Sequence, residues 1–173
     1  FIKDIVDEAP QHGINIKALH TRFLFATEGF SENFRDYMVK KAGIKNLYLD
    51  TLNIYGSADI GTMAFETPTA ILARRLAARD QASFKKLFSQ IDKTPTLAQY
   101  NPLFTTFEAS PLGEIYLTGN NSLPLIRYAI GDHGGVLSYS EIVSHFKEYG
   151  INFQKEAVKT GINNALTQLP FVY

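Results

Sequence analysis

"TRFLFATEGFSENFRDYMVKKAGIKNLYLDTLNIY", residues 21–55, decides the fold class. Its first part, "TRFLFATE" (21–28), is an apolar run of strand length. "GFSENFRDYMVKKAGI" follows with Phe34, Tyr37 and Met38 on one helical face and Ser31 placed to cap the start. Lys40 and Lys41 fall in the last turn, where cations suit the helix dipole, and Gly43 is placed to end it. "NLYLDTLNIY" (46–55) is a second strand run. Strand, helix and strand in so short a stretch predict a βαβ-like unit with parallel pairing.

Outward from this unit the pattern stays mixed. Upstream, "FIKDIVDEA" is an amphipathic helix with Ile2, Ile5, Val6 and Ala9 on one face, and "APQHGINIKAL" is a turn-rich connector. Downstream, "TPTAILARRLAARDQASFKKLFSQI" is one or two helices, with Thr67 as cap, Pro68 at the first helical position and Asp80 as a fresh cap. "LFTTFEASPLGEIYLTGNNSLPLIRYAIGD" holds three β-rich runs separated by "SPLG" and "TGNNSLP". "LSYSEIVSHFKEYG" carries the capping box Ser138–Glu141, "NFQKEAVKTGINNALTQ" is helical, and "LPFVY" returns to strand. The expected class is mixed α/β (α+β). Residues 1–92 would form an α/β part, 93–137 a β-rich part, and 138–173 a helical insertion with a strand.

The 173 residues balance seventeen basic against seventeen acidic side chains, which leaves no electrostatic footprint for nucleic acid or an anionic membrane. With no cysteine there is no disulfide, thiolate zinc site or cysteine nucleophile. No apolar run approaches the roughly 20 residues of a membrane span, and "TAILARRLAA" is interrupted by Arg74 and Arg75. No signal-peptide pattern is present, so the expected location is cytoplasmic.

"NIYGSADIG" raises a chemical question: an aromatic ring, a glycine and an acid close a strand. Taken with "FATEGFSENFRDYMVKKAGI" and "GEIYLTGNNSLPLIRYAIGD", in that order, it resembles the phenylacetate–coenzyme A ligase branch of the adenylate-forming (acyl-activating) enzymes. The first segment resembles that branch's Gly-Ala-Glu-Pro-Trp-Ser-Glu stretch and helix. The second resembles its Tyr-Gly-x-Ser/Thr-Glu turn, and the third its Pro-Leu-Ile-Arg-Tyr-Arg-Thr-Gly-Asp run. The resemblance covers residues 21–132 and implies ATP-dependent activation of a carboxylic acid as an acyl-adenylate, then transfer to coenzyme A or another thiol. ATP/AMP, Mg²⁺ and coenzyme A are the implied cofactors.

Carried over by position, the resemblance places Ala26, Thr27 and Glu28 along the adenine edge, Tyr55 stacked on the base, and Gly56 where the backbone approaches without a Cβ. Ser57 belongs to the same nucleotide group, Asp132 would accept from both ribose hydroxyls, and Phe25 would lie near the acyl pocket. Asp59 stands where the family has its magnesium-binding glutamate. Ordinary structural roles compete at each position: Tyr55 as packing, Asp59 and Gly131-Asp132 as turn residues, Glu28 as an ion-pair partner of Arg22 or Arg35. Arg127 either clamps a carboxylate or pairs with one, and His133 in "GDHGG" reads as structural.

Departures from the family pattern are concentrated at Ala58, Asp59, Ala129 and Ile130. The family's upstream phosphate loop and its downstream hinge and catalytic lysine have no counterpart among these residues. The chain is therefore expected to be an incomplete, inactive piece of the large N-terminal domain. The alternatives are a non-catalytic nucleotide- or partner-binding relative, or an unrelated α/β domain.

Overall fold

A computed structural model describes residues 1–26, 29–91, 93–120 and 124–173. Its centre is the βαβ unit. Strand β1 (Phe23–Phe25) pairs in parallel with β2 (Thr51–Ser57), in the register Phe23 to Thr51 and Phe25 to Asn53. Helix α1 (Ile2–Glu8) precedes this pair, and α2 (Glu32–Ala42) crosses between its strands. The Ser31 hydroxyl accepts from the Phe34 amide at the start of α2, and Gly43 ends it in the left-handed region (φ 69°). One expectation is corrected here. Leu47–Asp50 is a single helical turn (α3), not strand, because the Asn46 side chain caps it by accepting from the Tyr48 amide.

β2 turns back into β3 (Gly61–Phe65), and the sheet grows by antiparallel addition. Thr67 caps α4 (Pro68–Ala77) and Asp80 caps α5 (Gln81–Leu87), so the long helical stretch is two helices. β4 (Ala98–Gln99) joins β3. The chain then leaves for a three-stranded meander of β5 (Thr105–Ala109), β6 (Glu114–Asn120) and β7 (Pro124–His133). β8 (Val136–Leu137), α6 (Tyr139–Glu148), α7 (Phe153–Lys159) and β9 (Phe171–Val172) follow. The larger sheet has the order β1-β2-β3-β4-β9-β8, so the last strand sits inside it rather than at an edge.

Helix α4 organises the core. Ala70, Ile71, Leu72, Ala73, Leu76 and Ala77 are all fully buried, and a helix apolar on nearly every side belongs in the middle of a fold. Ile142 and Phe146, four apart on α6, and Phe153 and Ala157, four apart on α7, close over the same cluster. Residues 138–173 thus share their hydrophobic core with α4 and α5. A second cluster, with Ile60, Met63, Tyr100, Phe107, Ile115 and Leu117, joins the two sheets.

Among these apolar surfaces lies a polar one. Arg35, Glu66 and Arg74 are each 0% exposed. Glu66 takes Arg35 Nη2 at 2.7 Å and Arg74 Nη1 at 3.2 Å, and Glu32 takes Arg35 Nε at 3.1 Å and Arg74 Nη1 at 3.1 Å. Arg35 also donates to the Thr51 hydroxyl at 3.0 Å, and both guanidiniums lie over the Phe30 ring. Arg74, which interrupts the apolar run in the sequence, is buried because these partners answer its charge. The network ties α2, β2 and α4 together.

Candidate functional site

Two irregularities in the strands build the site. Between β2 and β3 the register shifts after Tyr55, so that Tyr55 faces Ala64 while Gly56 faces Thr62. Gly56 is required there, since a Cβ would stand 2.5 Å from the Gly61 carbonyl oxygen. The close approach that its bare backbone permits is therefore made by the chain's own β3. In the meander, Glu114 faces His133 but Tyr116 faces Ala129, which leaves β7 with a bulge around Gly131 at φ 85°. Asp132 is thus a strand residue beside a bulge and not a turn residue. The bulge brings it to Tyr55, 77 positions away, whose hydroxyl donates to its carboxylate.

A cleft of about 450 Å³ opens at this junction. Tyr55, Gly56 and Asp132, assigned to one nucleotide site on resemblance alone, all line it. The Tyr55 ring packs near-parallel on Phe107, with centroids 5.9 Å apart. Burial, and then the Asp132 carboxylate that accepts its proton, pushes the Tyr55 phenol well above its ordinary range. The phenol is therefore a hydrogen-bond donor at every physiological pH.

Asn53 lines the same cleft, and the sequence reading missed it. It is 2% exposed, its Nδ2 donates to Thr96 Oγ1 at 3.2 Å, and its Oδ1 has no partner among the described residues. A buried acceptor left unanswered costs free energy unless something answers it. The signal was in the sequence, an amide two residues before Tyr55 on the same strand face, but only the fold shows which face meets the cleft. Lys93, Thr94 and His133 also line the opening. Lys93 has no ion-pair partner among the described residues, so it adds an unpaired cation to the rim.

Other expected residues lie elsewhere. Phe25 is buried in an aromatic cluster, its ring 4.6 Å from that of Phe30. Ser57 accepts from the Ile60 amide at 3.4 Å and shapes the β2–β3 turn. Ala26 is exposed after β1, and Thr27 and Glu28 fall outside the described residues. Arg22 pairs with Asp50 at 3.0 Å, and Arg127 pairs with Glu108 at 2.9 Å over the Tyr116 ring. Arg127 is thus a pairing residue and not a clamp in the cleft.

Asp59 sits in the β2–β3 turn and accepts from the Tyr128 hydroxyl at 3.1 Å. It is not among the residues lining the cleft, and the described residues hold no group of three side chains able to ligate a metal. Mg²⁺ at a nucleotide site takes one or two carboxylates beside substrate phosphates and water, so a metal there would arrive with the nucleotide rather than sit in a protein cage. No helix among the described residues is long and apolar enough to cross a membrane. Comparison with protein-family models, with curated proteins and with solved structures finds no match.

Proposed function

We propose that this cleft holds the adenosine half of an adenine nucleotide, and that the protein carrying it activates carboxylic acids as acyl-adenylates. One observation carries the reading. Asn53, Tyr55 and Asp132, from a strand and a bulge far apart in sequence, converge on one opening with an acceptor, a ring and a carboxylate. Each matches a need of the ligand. The unanswered Asn53 oxygen would accept from the exocyclic amine of the base. The Tyr55 ring offers a flat surface for stacking. Asp132 would exchange its tyrosine donor for ribose hydroxyls, a two-acceptor task suited to a carboxylate.

The reaction itself balances simply. A carboxylate oxygen attacks the α-phosphorus of ATP, pyrophosphate leaves, and a thiol such as that of coenzyme A then displaces AMP to leave a thioester. These residues would bind and orient the nucleotide so that attack is in line, and such positioning supplies much of the catalysis in reactions of this kind. The test is acid-dependent ATP–pyrophosphate exchange over a panel of aryl and fatty acids. Exchange with one acid class supports activation, and its loss in Asp132→Ala assigns it to this cleft. Absence of exchange across the panel counts against activation.

A second reading rests on Asp59. Its engagement by Tyr128, outside the cleft, favours a relative that binds the nucleotide without turning it over. Adenine nucleotide binding without exchange is the result that selects it.

A further inference from the structure

A second cleft lies away from Tyr55. Between α1, the connector after it and α2 lies a cleft of about 660 Å³, within the size range of small-molecule sites. Its floor is aliphatic, built from Val6, Pro10, Ile14 and Ile16. Its rim carries Lys17, Lys40 and Lys41.

The charges on that rim are not equivalent. Asp7, the acid nearby, is already saturated: it pairs with Lys3 at 2.7 Å and Lys41 at 2.9 Å, and accepts from the Tyr37 hydroxyl. These partners hold its carboxyl well below the usual range. Lys17 and Lys40 have no ion-pair partner among the described residues. The stem of Lys17 lies close over Gly43, where a Cβ would stand 2.9 Å from its Cγ. Lys17 and Lys40 thus bring cations without an ion-pair partner among the described residues to a cleft lined by aliphatic side chains. A neutral apolar ligand would leave both ammoniums unanswered, and a small inorganic anion would leave the floor wet.

We propose that this cleft binds a single-chain amphipathic anion, a medium-chain fatty carboxylate, with its alkyl chain on the Val6–Ile14–Ile16 floor and its head between Lys17 and Lys40. The inference is independent of the adenosine reading and stands or falls on other residues. Ile14 is half exposed (47%), so a polar substitution there changes the floor without opening the core.

Calorimetric titration with dodecanoate below its micelle concentration tests the proposal, beside octanoate, decanoate and dodecanol. The expected result is saturable one-to-one binding that tightens roughly threefold or more per added methylene. Dodecanol should bind about tenfold more weakly or worse, as should dodecanoate to the Lys17→Glu/Lys40→Glu double variant, since removing head-group pairing is read as lost affinity. Ile14→Asp, with an unchanged melting temperature, should also weaken binding. The proposal is overturned by absence of saturable binding, by equal affinity for dodecanol, by indifference to both sets of substitutions, or by binding to anionic phospholipid vesicles with none to monomeric dodecanoate.

Discussion

Two polar constellations meet the same β2 strand and end up with opposite character. At one, Arg35, Arg74, Glu66 and Glu32 are packed between helices, with charge answering charge. At the other, Asn53 and Tyr55 face a cleft where an amide oxygen is buried and unanswered. Burial alone does not separate them, since Asn53 is as hidden as the arginines. Satisfaction does. An ion-paired network fixes the structure and answers its charges within the protein. An open one keeps capacity in reserve for a ligand.

Substitutions should therefore act on the two constellations in opposite ways. The largest effect is expected from Glu66→Ala, which takes one of two carboxylate partners from each of two buried guanidiniums and should lower stability by about 3–5 kcal/mol in urea denaturation. Glu66→Gln, which keeps the shape but not the charge, should cost less. Neither should change nucleotide affinity once the folded fraction is accounted for. Gly56→Ala comes next: its Cβ would meet the Gly61 carbonyl and should cost about 1–3 kcal/mol by overpacking. A Gly56→Ala protein that loses nucleotide affinity at unchanged stability would show that ligand approach, not the β2–β3 contact, is the reason for the glycine.

His145 is an intermediate case, a buried polar group with one partner. It shares a 2.8 Å hydrogen bond with Ser83 through Nε2, and burial, then the Lys86 charge, lowers its pKa in the folded protein. The facing groups are Ser83 and Lys86 on α5 and Glu148 on its own helix, with Glu148 and then Ser83 opposing the shift. The unfolded chain binds the proton more readily, so the stability due to neutral His145 is full above about pH 6.5 and is lost as pH falls through the depressed folded value. His145→Gln should flatten the decline in melting temperature between pH 7 and pH 5. A profile unchanged by the substitution would place the acid sensitivity elsewhere.

The smallest stability effect is expected at Asn53. Asn53→Ala forfeits one hydrogen bond to Thr96 and also removes the unanswered acceptor, so the net change should stay near 1 kcal/mol or below. Its effect on nucleotide affinity should be the larger one, which is the reverse of Glu66→Ala.

Much of the fold was legible because it is local. The caps at Ser31, Thr67, Asp80 and Ser138 act within three residues, and the sequence displays both ends of each. The parallel β1–β2 pair followed from the run–helix–run spacing. Leu47–Asp50 was misread as strand because three apolar or aromatic residues in a row carry no period, and a capping asparagine decided the matter. The buried ion network was not legible, since Arg74 meets Glu32 and Arg35 meets Glu66 only after three elements pack. Gly134 and Gly135, which close "GDHGG", are another long-range feature: Gly135 exchanges backbone hydrogen bonds with Tyr173, and side chains at either glycine would collide with that residue. Of the cleft, Tyr55 and Asp132 were singled out from motif resemblance, while Asn53 needed the strand face to be known.

The most direct measurement compares AMP and IMP in calorimetric titrations of the wild-type protein and of Asn53→Ala. The two nucleotides differ where adenine presents an amine and hypoxanthine a carbonyl, opposite the acceptor that Asn53 leaves free. A site with a buried acceptor should reject the ligand that cannot answer it, so AMP should bind about tenfold tighter or more, and Asn53→Ala should erase the preference. Equal affinity for the two nucleotides, or binding of neither, would contradict the assignment of this cleft to adenosine.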